Sequence, residues 1–216
     1  MITFMLRKQM IQYVEKLLTE KGNANIGESA VEIYKLEYDY IKRHQLLSED
    51  KESSVSFVEQ ESLSRFQHNV YIERGNKETE EVIAEESSAF LEQPIKYFKD
   101  HIDEFMYMES PWFNMIGVDA ISFEADSAFG NYDVMLGLKQ PKKSEKWLKS
   151  FLKESLQDEE ATFDLMFSAN DGLWDLNFSL NDLNTFKEDW TILQAYDAIY
   201  ELIFKLVEKV EEGTVE

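Results

Sequence analysis

The sequence predicts an α+β fold: an antiparallel sheet of four to six strands, helices packed on one face, and an N-terminal helical hairpin. Three observations carry this. Apolar and polar residues alternate with period two over much of the chain after Trp112, as in strands buried on one side only. Apolar stripes at spacings of three and four mark both ends of the chain. A 44% hydrophobic composition with 15 Phe, 10 Tyr and 4 Trp supplies material for a sizeable core. The 216 residues read as a single domain, 1–216. Within it the expected order is a helical hairpin (1–47), a mixed segment with a long helix (48–110), and hairpin, helix, hairpin, helix (111–216).

Leu6, Met10, Val14 and Leu17 define a first helix over residues 4–21, with Gly22 as its expected C-cap. "GNANIG" connects it to a second helix over 28–47, whose stripe is Val31, Tyr34, Tyr38 and Ile41. "SEDKESS" is a charged loop. Residues 54–73 fit either a strand or a helix. Phe66, His68, Val70 and Ile72 share one parity, and the crowding of β-branched and aromatic residues favours strands. Leu91, Ile95, Phe98, Ile102 and Phe105 predict helix within 77–109, broken or kinked at Pro94.

After Trp112, "FNMIGVDAISFEAD" and "NYDVMLGLKQ" flank the turn "SAFGN", and a parity change at Asp119-Ala120 calls for a bulge. "KKSEKWLKSFLKESL" predicts a basic helix burying Trp147, Phe151 and Leu148. "TFDLMFSANDGLWDLNFSL" is a second hairpin, turning at Asn170-Asp171-Gly172. A last helix spans 185–212, with Thr185 and Glu188 spaced as a capping box.

Charge narrows the function. Against 22 Lys and Arg stand 43 Asp and Glu, a net charge of −21. Such a surface repels nucleic-acid backbones and anionic membranes, and it attracts cationic proteins. The absence of cysteine excludes disulfides and thiolate chemistry and fits a cytoplasmic protein. The N-terminal segment lacks the basic-then-apolar order of a secretion signal.

Motif chemistry is sparse. His44, His68 and His101 lie in separate segments, and neither a phosphate-binding glycine loop nor a nucleophile elbow appears. No catalytic residue, metal site or cofactor is assigned. Asn177-Phe178-Ser179 matches a glycosylation sequon inside an expected strand and is read as coincidence. Lys142, Lys146, Lys149 and Lys153 form a basic stripe expected to balance the protein's own acidity.

The outward parity of the late strands carries Asp133, Asp164, Asp175 and Asn177. If those strands are neighbours, the four residues share one wet, anionic face. The expectation is therefore a non-catalytic, acidic cytosolic interaction protein that binds a basic protein partner, an inhibitor or immunity-type protein being one form. Two alternatives stay open: a small-molecule binder or enzyme with a pocket between sheet and helices, and a homo-oligomeric assembly protein.

Overall fold

A computed structural model describes residues 5–22, 30–48, 56–156 and 163–213. The chain forms two compact units, Met1–Arg65 and Phe66–Glu216.

In the first unit, helix α1 (Met5–Gly22) buries Leu6, Met10 and Val14, as its spacing predicts. The expected helical hairpin does not form. Residues Ala30–Tyr34 are a strand, β1, and the second helix is short, α2 (Lys35–Arg43). The reason is local: Val31 and Ile33 are buried while Glu32 between them is exposed, a period of two with β-branched side chains. β1 pairs in parallel with β2 (Ser56–Gln60), from Ala30 opposite Ser56 to Tyr34 opposite Gln60. Most of "GNANIG" and "SEDKESS" lies outside the described residues. Beyond β2 the chain enters a 3-10 turn at Ser62–Phe66, so the ambiguous region is strand, then turn, with the next strand starting only at Tyr71.

The second unit is built on a seven-stranded antiparallel sheet, more strands than expected. They are β3 (Tyr71–Asn76), β4 (Val82–Glu86), β5 (Glu104–Glu109), β6 (Val118–Ala125), β7 (Tyr132–Leu138), β8 (Asp164–Ser168) and β9 (Leu173–Ser179). Their spatial order is β4-β3-β5-β6-β7-β9-β8. Both predicted hairpins are present. The first carries its bulge between Val118 and Ile121, around the expected Asp119-Ala120. The tight turns place Gly130 and Gly172 at φ of 70° and 71°, the left-handed region that glycine enters without steric cost.

Register stacks the buried side chains into rows. Ile72, Met108, Ile121, Leu136 and Leu176 face one another across successive strands, with the half-buried Leu165 at the edge, and so do Met106, Phe123, Val134 and Phe178. Three helices cover this side: α3 (Tyr97–Asp100), α4 (Pro111–Met115) and the long α6 (Ile192–Gly213). Phe98 of α3 meets Phe123 at 5.4 Å between ring centroids, Tyr196 of α6 meets it at 6.1 Å, and Phe113 of α4 stacks on Tyr196. The Tyr196 hydroxyl donates to the Ile121 carbonyl. Among the described residues, no helix is long and apolar enough to cross a membrane.

Three expectations fail here for identifiable reasons. The helix foreseen within 77–109 is instead β4, a 3-10 turn at Ser88–Glu92, α3 and β5. Leu91, Ile95 and Phe98 are buried as their spacing implied, but Pro94 removes a donor and bridges Thr191 instead. The last helix starts at Ile192, not at residue 185. Its capping box is Thr191 and Gln194: the Gln194 amide donates to the Thr191 hydroxyl, and the Thr191 amide donates to the Gln194 side chain. In α5 (Glu145–Ser155), Leu148 and Leu152 are fully buried, whereas Trp147 and Phe151 are half-buried.

One glycine is held by its neighbour. Gly75 lies opposite Phe105, and a Cβ there would sit 2.4 Å from the ring's Cζ. Gly75→Ala is expected to swing the ring off the sheet and cost about 1–3 kcal/mol in urea denaturation.

Candidate functional site

The polar positions between the buried ones form the opposite face of the sheet. One row crosses all seven strands: Glu85, Glu73, Tyr107, Ser122, Met135, Asn177 and Asp164, each opposite the next. A second row runs Phe105, Glu124, Asp133, Ser179, and a third Gly137, Asp175, Met166. Alternation along each strand fixes which side chains point this way, because a pleated strand turns successive residues to opposite faces.

The four residues expected from sequence all stand on this face. Asp133, Asp164 and Asn177 line one concavity of about 600 Å³, together with Asp126, Phe129, Asn131, Met135, Phe163, Phe178 and Ser179. Asp175 is on the same face, exposed between Gly137 and Met166, outside that lining. Two of the members that sequence reading missed bear on the site's chemistry. Asp126 opens the β6–β7 turn, where its carboxylate accepts the amides of Ala128 and Phe129. Phe129, at the tip of that turn, is 86% exposed. A phenylalanine in the polar pentapeptide "SAFGN" was the available signal. Trp112 is half-buried, whereas the Phe129 ring reaches solvent.

Like charges crowd here. Asp133 lies directly opposite Glu124, and Lys77 meets Glu124 at 3.1 Å. Burial, then repulsion from Asp126 and Glu124, raises the pKa of Asp133, with Lys77 opposing. A carboxyl whose folded pKa is raised holds its proton more tightly when folded. Its contribution to stability is therefore lost as pH climbs from the ordinary aspartate range to the raised value. Asp133→Asn is expected to increase the melting temperature at neutral pH and to flatten its fall across that range. Solvent screening keeps the gain below about 1 kcal/mol. Thermal melts of both proteins from acid to neutral pH check this.

Other sequence candidates have structural roles. The His101 ring stacks on Tyr97 at 4.0 Å, and its Nδ1 lies 2.9 Å from the Tyr97 carbonyl oxygen. His68 is exposed. The lysines of this region divide between ion pairs and aromatic rings. Lys149 pairs with Glu145, and Lys139 with Asp119. Lys142 and Lys146 lie over the Phe167 and Trp147 rings. Arg74 is held by Glu86 and Glu104 at 2.7 Å each and sits above Phe90, tying the β3–β4 end together.

The arrangement sets hard oxygen acceptors side by side on a sheet, beside an exposed aromatic ring. Compared with models of known protein families, with curated protein sequences and with solved structures, the chain matches none.

Proposed function

We propose that this protein is a non-catalytic binder of a basic protein partner, and that the partner docks on the polar face of the seven-stranded sheet. The observation that carries the reading is the concavity in which Asp126, Asp133, Asp164 and Asn177 converge beside the exposed Phe129. An aromatic anchor next to charged acceptors has the composition of an interface centre, where aromatic side chains contribute most. A net charge of −21 speeds encounter with a cationic surface and rejects anionic ones. An inhibitor or immunity protein that neutralises a cationic enzyme or toxin would use such a face. The reading includes a cytoplasmic setting, which a chain without cysteine suits.

The test is affinity capture on the full chain at low and high salt, in parallel with Asp133→Lys/Asp164→Lys and with Glu154→Lys on α5 as control. A basic protein captured by wild type and by the control, lost at high salt and lost with the double reversal, supports the reading. Partners that persist at high salt, or that bind the reversed face equally well, overturn it, because exposed charges are screened beyond about 8–10 Å.

A further inference from the structure

The β3–β5 end of the same face carries a second pattern. Tyr71 and Glu73 alternate along β3, Tyr107 and Glu109 along β5, and the register sets Tyr71 opposite Glu109 and Glu73 opposite Tyr107. The four make a square in which each ring has a carboxylate beside it along its strand and another across. The hydroxyls donate along the strands, Tyr71 to Glu73 and Tyr107 to Glu109. Accepting carboxylates keep both phenols protonated. Glu73 pushes Tyr71 up to about 12, and burial, then Glu109, does the same for Tyr107.

More acidity surrounds the square. Glu85 stands opposite Glu73, a like-charge pair that weakens the sheet on its own. Glu109 and Asp119 line an adjoining concavity of about 520 Å³ with Tyr71, Asn69, Ser110 and Asn114. Among the described residues, no lysine or arginine pairs with Glu73, Glu85 or Glu109, and Tyr71 is 38% exposed. Glu73, Glu85 and Glu109 thus present negative charge interleaved with flat rings, while Asp119 beside them is paired with Lys139.

Resting on the docking role of this face, we infer that the square seats an arginine of the basic partner, while a second cationic side chain of the same partner occupies the Asp133/Asp164 concavity. The chemistry selects arginine over lysine. A guanidinium is planar: its face stacks on a tyrosine ring while its edge donates to carboxylates on either side. An ammonium has no face to stack. The sheet also sets the spacing. From the middle of β3–β5 to the middle of β7–β9–β8 is three to four strand separations of about 4.8 Å, or about 17 Å. An extended segment covers that in about five residues. The partner's two cations are therefore set by strands crossed, not by residues along one strand.

The experiment uses two synthetic peptides, identical except that the cationic residues are all arginine in one and all lysine in the other. Both are titrated calorimetrically onto the full chain and its variants. Wild type is expected to bind the arginine peptide about tenfold more tightly, the size of one partly desolvated cation–ring contact. Tyr71→Leu/Tyr107→Leu should erase that preference, and Glu73→Gln/Glu109→Gln should erase it without changing side-chain shape. Asp133→Asn/Asp164→Asn should weaken both peptides alike. Equal binding of the two peptides to wild type overturns the arginine square; so does a preference that survives the glutamine pair. If affinity still falls with Asp133→Asn/Asp164→Asn, the docking role of the face stands in either case. Failure of both peptides to bind wild type overturns the face and the square together.

Discussion

Arg65→Met is expected to destabilise the protein by about 3–5 kcal/mol. Arg65 and Glu37 are 3% and 0% exposed, and one guanidinium nitrogen of Arg65 reaches both carboxylate oxygens, at 3.0 and 2.9 Å. The guanidinium also lies 4.3 Å from the centre of the Tyr34 ring. Methionine fills much of the space but takes the guanidinium away from a buried carboxylate. Two remedies exist, protonation of Glu37 or admission of water, and both cost free energy. The cost belongs to the carboxylate deprived of Arg65, so it should be much smaller in Arg65→Met/Glu37→Leu, where both charges of the pair are gone. Urea denaturation followed by circular dichroism measures the cycle. A single substitution costing less than about 1 kcal/mol, or a double one costing the sum of both singles, would show that water already reaches the pair.

That ion pair was invisible in the sequence, and the contrast with what was visible is physical. Period-two alternation is a local property, so both late hairpins, the bulge at Asp119-Ala120 and the outward placement of Asp133, Asp164, Asp175 and Asn177 could be read directly. Which strands become neighbours is not local. β3 and β4 precede the hairpins in sequence yet lie beyond β5 at one edge of the sheet, and no residue of theirs announces that pairing. Helical periodicity misled where short apolar clusters were buried by tertiary contact. Leu91 reaches the core from a 3-10 turn, Ile95 from the turn after it and Phe98 from a single helical turn, so their spacing imitates a continuous helix. At β1 the stripe through Val31, Tyr34, Tyr38 and Ile41 predicted a helix, and β-branching at 31 and 33 favoured the strand instead. In the candidate site, Asp133, Asp164 and Asp175 were found by parity, whereas Asp126 was missed because it lies in a turn, outside the alternation. Phe129 was missed because an exposed ring at a turn tip obeys no period, and the Tyr/Glu square was missed because only register creates it.

Phe123→Ala is expected to cost about 3–5 kcal/mol and to leave the geometry of the polar face unchanged in the molecules that remain folded. Phe123 sits in β6, the middle strand of seven, fully buried, with Phe98, Tyr132 and Tyr196 at ring separations of 5.4, 5.7 and 6.1 Å. Rings from α3, β7 and α6 converge on it, so no single neighbour can collapse into the space without abandoning its other contacts. The substitution should therefore fall near the upper end of that range, measured by urea denaturation with an unchanged dependence on denaturant. Its neighbours Ser122 and Glu124 point the other way, and each is fixed by cross-strand partners on both sides, Tyr107 and Met135 for one, Phe105 and Asp133 for the other. A cationic peptide should accordingly bind the folded variant with the affinity it has for wild type. Weaker binding at a temperature where the variant is fully folded would mean that the sheet is not the rigid platform on which the proposed spacing of the partner's two cations depends.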